Sequence, residues 1–252
     1  MSDVLQELKR VSGGIYRTGQ IARSAATDGL DVIDPATEQV IGSLAETPLS
    51  EIDACIEEAN MAQKHWWKEV SAVDRAHAMH EVAYALEKTR PVIAEAMTRE
   101  MGKPYKEAVD EVNWCIHSLR YSAEVGRSDM GRVMGPAVTG QMHYTLKQPL
   151  GAIALIMPFN YPLVLLAWEA GAALAAGNAC IVKPSEYTTL TTLLFAEAFN
   201  HLPKGLFQVV SGGGEVGRHL VEHPHTHGVA FTGSVPVGRR VSATCGDLMK
   251  PA

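Results

Sequence analysis

The chain has 252 residues, enough for one large domain or two ordinary ones with a full core. Its 46% apolar and 20% charged content is that of a soluble globular protein, and a net charge of −6 without a basic block argues against a nucleic-acid surface. The four cysteines, Cys55, Cys115, Cys180 and Cys245, are scattered without CxxC spacing, so they read as reduced thiols of a cytoplasmic protein rather than a disulfide framework. Met1 to Arg10 carries acids and lacks an apolar centre, which speaks against a signal peptide. The longest strongly apolar stretch, Tyr161 to Ala176, is interrupted by Pro162 and Glu169 and is too short to span a bilayer, so no membrane is expected as a partner.

In chain order, residues 28 to 47 read as short strands around the turn Asp34-Pro-Ala-Thr37, with Gln39 to Gly42 as a strand end. Ser50 with Asp53 resembles a capping box, after which Ile52, Ile56, Ala59 and Trp66 fall at helical spacing. Trp66-Trp67 reads as a helix end with one ring in the core and one at the surface. A second helical region covers 73 to 99, where Pro91 predicts a break and a new helix start. A third runs from Tyr105 to Arg127, with Ala108, Val112, Cys115, Leu119 and Ala123 on one face.

Gly131, Gly135, Pro136 and Gly140 then predict a loop, and Met142, Tyr144 and Leu146 alternate with polar residues as in a half-buried strand. From Pro149 onward strand and helix alternate. Strands are predicted at Ile153–Met157, Ala179–Val182, Leu206–Val210 and Gly228–Phe231, with helices starting near Leu163, Leu190, Glu215 and Val237. This alternation predicts an α/β fold with a doubly wound parallel sheet and right-handed crossovers.

The polar residues that follow each apolar run are the candidate site, because such sheets bind ligands at the carboxyl ends of their strands. Asn160, after the first of these strands, can donate its amide to a developing oxyanion or serve as a turn residue. Lys183-Pro-Ser-Glu186 places a cation and a carboxylate where ribose hydroxyls could be held, or where a surface ion pair would sit. Gly212 to Gly217 matches G-x-G-x-x-G between a strand and a helix; it is either a phosphate-binding turn or a plain glycine-rich one. Phe231-Thr-Gly-Ser234 leads into a helix that Ser234 can cap, with Pro236 in its first turn, and the same geometry could hold a pyrophosphate. His219, His223, His225 and His227 crowd one region, but no cysteine or acid pairs with them in a known ligand pattern, so no metal is expected.

In order, these blocks resemble the aldehyde dehydrogenase superfamily. Asp34-Pro-Ala-Thr37, Trp67, Arg75, Glu100-Met-Gly-Lys-Pro104, Pro149-Leu-Gly151, Met157-Pro-Phe-Asn-Tyr-Pro162, Ala173-Leu-Ala-Ala-Gly-Asn178, Lys183-Pro-Ser-Glu186, His223-Pro224 and Phe231-Thr-Gly-Ser234 carry the likeness, from about residue 30 to the end. The resemblance implies a Rossmann-like core at 149–252, an N-terminal layer of strands and helices at 1–130, and an arm at 131–148 whose 138–147 strand joins subunits into a homo-oligomer. It implies NAD as cofactor, with NADP also compatible, and a small aldehyde oxidised to the acid. Asn160 would be the oxyanion donor. Ile156, Met157, Pro158 and Phe159 would line the nicotinamide side, and Lys183, Ser185 and Glu186 would hold the adenosine ribose. Phe231, Thr232, Gly233, Ser234 and Gly238 would face the pyrophosphate, and Gly214 and Gly217 would lie toward the adenosine.

Two departures stand out. The family commonly has Trp-Lys where this chain has Trp168-Glu169, a change of charge expected to leave the named cofactor contacts alone. The family's nucleophilic Cys and its general-base Glu have no counterpart up to Ala252. The chain is therefore expected to be the cofactor-binding part, inactive alone, with an exposed sheet edge that favours association. A nucleotide-binding or subunit-interaction module is the alternative.

Overall fold

The computed structural model describes residues 2–25, 29–128 and 131–252. It opens with helix α1 (Ser2–Val11), which buries Val4, Leu8 and Val11 at helical spacing and carries Lys9 and Arg10 at its negative end. Arg10 reaches Glu197 at 2.7 Å. Strands β1 (Gly14–Arg17) and β2 (Gln20–Arg23) follow as a tight hairpin. Thr18 and Gly19 both take positive φ, 52° and 83°, the turn whose twist matches two antiparallel strands. None of these elements was visible in the sequence pattern.

Strands β3 (Gly29–Ile33) and β4 (Val40–Ala45) pair across the predicted Asp34 turn, where Asp34 Oδ1 accepts the Ala36 N–H at 2.8 Å. Helix α2 (Leu49–Lys68) starts at Pro48 and has no side-chain cap. Ser50 and Asp53 lie inside it, so they form no capping box, and Asp53 bonds His219 at 2.6 Å instead. Trp66 is buried with its ring N–H on Leu174 O, while Trp67 is half-buried at the helix end. Helix α3 (Ala72–Met101) runs unbroken through Pro91. The proline lies on the exposed face, so its lost hydrogen bond costs no buried partner, while the stripe Val82, Ala83, Leu86, Ile93, Ala94 and Met97 stays packed on either side. Helix α4 (Tyr105–Ser128) buries the face the sequence predicts.

The segment with Gly131 is a strand rather than a loop: β5 (Gly131–Met134) pairs with β6 (His143–Leu146). The predicted half-buried alternation is also corrected, because both strands expose nearly all their side chains; Met142 beside them is 76% exposed. Among the described residues, no other element packs against this hairpin firmly enough to cover a face.

Strand and helix then alternate as expected: β7 (Ala152–Ile156), α5 (Pro162–Ala175), β8 (Ala179–Lys183), α6 (Thr189–Ala196), β9 (Phe207–Val209), α7 (Gly214–Glu222), β10 (Gly228–Phe231) and α8 (Val235–Asp247). The sheet order is β10-β7-β8-β9-β1-β2. Its first four strands are parallel, whereas β1 and β2 run antiparallel, so the N-terminal hairpin makes the sheet mixed. The all-parallel expectation missed them because they precede the alternating pattern. Strand β8 is buried throughout, the mark of a central parallel strand. Helices α2 and α7 lie on one side of the sheet and α5 and α6 on the other, with α3 and α4 packed outside α5 and α6. Connections leave β7 in one direction through β8 and β9, then return to its other side with β10. The crevice at this reversal lies between the ends of β7 and β10.

Candidate functional site

The β7–α5 junction is held by charges from another layer. Glu111, on α4 and 2% exposed, accepts the Leu163 N–H at 2.9 Å and the Val164 N–H at 3.1 Å with one oxygen. It thereby caps the first turn of α5 from outside, where Tyr161 offers no side-chain cap. Its other oxygen meets Lys103, whose ammonium also donates to Asn160 O at 2.7 Å and lies 3.9 Å from the Tyr161 ring. The backbone around Asn160 is therefore clamped, while the Asn160 side chain is exposed and makes no hydrogen bond among the described residues. Phe159 packs edge-on against Tyr187, bringing the loops after β7 and β8 together.

Lys183 ends β8. Its ammonium is buried, donating to Pro184 O at 2.8 Å and Gly212 O at 2.7 Å, with Glu186 at 3.9 Å. Burial pulls its pKa below the ordinary lysine range, with Glu186 and Glu46 acting against the shift. Lys183 thus holds the β9–α7 turn, rather than standing free as a surface ion pair. Glu186 is half-exposed, and a Cβ added to Gly213 would lie 3.5 Å from its carboxylate. The turn is open where the sequence motif places glycine: a Cβ on Gly214 would touch nothing within 4 Å. Helix α7 has no side-chain cap at Gly213.

At the third junction, Thr232 N–H donates to Ile156 O at 3.1 Å, extending the β10–β7 ladder by one residue. Ser234 occupies the N-cap position of α8 with Pro236 in the first turn, but its hydroxyl caps nothing, which corrects that part of the expectation. Glu169, on α5, accepts the Thr232 hydroxyl at 3.2 Å. The Trp168-Glu169 departure therefore does reach a named cofactor contact, because the turn of α5 that carries it faces the end of β10. Burial pushes the Glu169 carboxyl up to about 7.

These junctions open onto one cavity of about 1060 Å³, lined by Ile156 to Asn160, Lys183, Ser185, Glu186, Gly214, Gly217 and Phe231 to Ser234. Of the predicted site residues, Gly238 alone does not line it; it sits one turn into α8, against the Phe231 ring, with its N–H on Ser234 O. Sequence reading missed Arg218 and Arg240, which add cations to the walls from α7 and α8. Their signal was weak, since only helical phase relative to the two junctions would select them among surface arginines. Two uncapped helix ends, two arginines and two carboxylates, Glu186 and Glu222, beside an apolar floor form a site for an elongated anion with hydroxyl groups.

The other candidates sort differently. His219 and His223 lie 2.6 and 3.5 Å from Asp53, linking α7 to α2. No group of His, Cys, Asp and Glu among the described residues is arranged to hold a metal ion. All four cysteines are buried. Burial raises their thiols, Cys55 to about 12 and Cys115 well above the usual range, with Cys180 and Cys245 shifted in the same direction. No described helix is long and apolar enough to cross a membrane.

Comparison with known proteins agrees with this geometry. The aldehyde dehydrogenase family model matches residues 21–252. The chain is 37% identical over 222 residues to 4-trimethylaminobutyraldehyde dehydrogenase B of Danio rerio, covering 87% of this chain and 42% of that protein. It superposes on the NAD+ complex of aldehyde dehydrogenase from Bacillus cereus with a TM-score of 0.94 at 28% identity, covering 99% of this chain and 52% of that one. An E. coli NADP dependent enzyme matches with a TM-score of 0.92 at 29% identity, over 97% of this chain and 51% of that one. The chain thus spans about half the length of the proteins it matches. With a family match over residues 21–252, the chain belongs to the aldehyde dehydrogenase family, whose members use NAD or NADP.

Proposed function

We propose that the cavity binds NAD or NADP and that this chain supplies the cofactor-binding and oxyanion-stabilising half of aldehyde oxidation. The observation that carries this reading is the convergence of the β7, β8 and β10 ends with two uncapped helix N-termini on one cavity of about 1060 Å³. Its volume and mixed lining fit a dinucleotide. Glu186 would accept ribose hydroxyls, with Lys183 and Ser185 shaping the loop that carries it. Ser234, Thr232 and the first turn of α8 would face the pyrophosphate, with Arg218 and Arg240 offsetting its charge. Ile156 to Phe159 would form the apolar floor toward the nicotinamide, and Gly214 and Gly217 would leave room at the adenosine end. When bound, the nicotinamide supplies the hydride acceptor.

Asn160 is suited to stabilise charge on an aldehyde oxygen, because its amide is exposed while its backbone is clamped. Thioester chemistry in this family needs a thiolate nucleophile and a base. The four buried, up-shifted thiols are not suited to that role. The 252-residue chain alone is therefore expected to bind dinucleotide without oxidising aldehydes. Calorimetric titration with NAD and NADP tests the first half. Saturable binding that weakens in Glu186→Ala supports it, and no heat with either nucleotide rejects it. Aldehyde-dependent NADH formation, assayed with aliphatic aldehydes and with cationic ones such as the Danio relative's namesake, tests the second. Turnover at an enzymatic rate would reject it.

A subunit-interaction role is favoured by one further observation. The β5–β6 hairpin exposes Val133 at 79%, Tyr144 at 61% and Leu146 at 65%, an apolar ribbon with open strand edges. We assign this hairpin as the contact to a second copy of the chain, in the cytoplasm, where buried thiols stay reduced. Sedimentation of Val133→Glu against the parent chain tests it: loss of the larger species supports the contact, and an unchanged distribution removes it.

A further inference from the structure

A second cavity, of about 290 Å³, lies among the ends of α2, α4 and α5, at the opposite end of α5 from the Asn160 loop. The 14 residues of α5 separate it from the first cavity, roughly 20 Å at 1.5 Å per residue. Two buried donors stand in its wall. Arg75, on α3 and 3% exposed, commits one nitrogen to the fold: Nη1 donates to Val70 O at 2.7 Å and faces Trp66 O at 3.5 Å, closing the end of α2. Its Nε is sealed from solvent without a partner, and its Nη2 makes no hydrogen bond among the described residues. Ser122, on α4 and 9% exposed, likewise makes no hydrogen bond among the described residues. The guanidinium lies 5.2 Å from the centre of the Trp67 ring. That ring is fixed in turn by Gly177, at φ 91°, where an added Cβ would come within 2.6 Å of it. The charged residues in the cavity wall, Arg75 and Lys147, are both cations. Burial pulls the Arg75 pKa below the ordinary arginine range, and no carboxylate acts against the shift. A buried guanidinium with an open edge and no counter-ion is costly unless a ligand supplies the charge.

We propose that this second cavity binds a small carboxylate with a flat apolar body, held by the open edge of Arg75 and the Ser122 hydroxyl. The donors select the head group. A planar guanidinium with uncommitted N–H groups matches a carboxylate, and the hydroxyl in the same wall can donate to the same charge. The rest of the wall selects the body. Trp67, Tyr121 and Val125 face it with the small alanines of α5, a lining for a ring rather than for a sugar. The volume is at the small end for ligand sites and excludes a dinucleotide. A bare phosphate would satisfy the donors and leave the aromatic wall unfilled. The site is independent of the dinucleotide reading, since it shares no residue with the first cavity.

The test is calorimetry of the 252-residue chain with benzoate as the probe, benzamide as its neutral isostere and acetate as the head group without the ring. Benzoate should bind saturably, acetate several-fold more weakly, and benzamide not at all over the same range. Arg75→Lys should weaken benzoate about tenfold, the loss of one charge-assisted hydrogen bond. Because Arg75 also closes α2, a second variant leaves it in place. Ala172 is exposed on α5 and lines the cavity. Ala172→Glu carries a tethered carboxylate into the site. It should abolish benzoate binding and melt at a higher temperature than Ala172→Gln, which fills the same space without charge. Any of four results overturns the proposal: no benzoate binding by the folded parent chain, benzamide or acetate binding as tightly as benzoate, benzoate binding unchanged in Ala172→Glu, or Ala172→Glu melting no higher than Ala172→Gln. Circular dichroism of each variant establishes that the comparison is between folded proteins.

Discussion

The β7–α5 and β10–α8 junctions flank the same crevice and are built in opposite ways. At the first, buried charges hold the backbone: Glu111 accepts the Leu163 and Val164 N–H groups, and Lys103 donates to the Asn160 carbonyl. At the second, Ser234 sits at the N-cap and caps nothing, and among the described residues a single side-chain bond, Thr232–Glu169, ties the loop to the layer behind it. The difference fits the roles proposed for the two junctions. An oxyanion donor works only if its position is fixed before charge develops, so its backbone is clamped by buried ions. A phosphate site needs its N–H groups free until the ligand arrives, so internal caps would compete with the ligand. Glu100 repeats the first solution nearby, accepting the Leu190 N–H at 2.8 Å and the Thr191 N–H at 2.7 Å as an external cap on α6.

The largest expected effect breaks the clamp. Glu111→Ala leaves Lys103 charged, buried and unpaired, and should lower unfolding free energy by about 3–5 kcal/mol in urea titration. A double Lys103→Ala, Glu111→Ala variant should lose less than the sum of the single changes, since the two act as one unit.

A pH series separates the Glu100 cap of α6 from the Glu169 contact next. Glu100 and Glu169 are both pushed up from 4.5 to about 7, so the folded chain holds more protons than the unfolded chain between these values. Their contribution is complete at pH 4 and is lost as pH rises through 7. Glu100→Gln should flatten the larger part of that decline, on the order of 2 kcal/mol, because Glu100 is the more deeply buried of the two. If the parent and the variant show the same slope, the desolvation account of Glu100 is wrong.

Ser234→Ala sharpens the contrast. With no cap bond to lose, stability should change by less than about 0.5 kcal/mol, against the ~1 kcal/mol of an ordinary cap deletion. NAD affinity should nevertheless fall several-fold. Smallest of all is Asn160→Ala. Its side chain is exposed and unbonded, so both stability and NAD affinity should stay within error of the parent in melting and calorimetry. A marked loss of stability there would show that the clamp works through the side chain and not the carbonyl.

Much of the site was legible because its residues follow apolar runs. The block Met157 to Pro162 announces a strand end and a helix start by composition alone, and the same is true of Lys183 to Glu186 and Phe231 to Ser234. The clamp was not. Lys103 and Glu111 lie about fifty residues before Asn160, on a different layer, and no local pattern distinguishes them from surface charges. Pro91 misled for a related reason: whether a proline breaks a helix depends on which face it occupies and on the packing beyond it. The N-terminal hairpin was missed because β1 and β2 are only four residues each, too short for periodicity to register.

Sequence by itself determined the parallel core, the order of its strand-end motifs and the chemistry they can hold, because alternation of apolar runs and turn residues is written locally. Tertiary structure alone decided which ions hold the Asn160 loop, which helix ends stay open and which partner Glu169 finds. Those outcomes depend on burial and on partners brought together from distant layers, and the energy of a charge is set by what surrounds it.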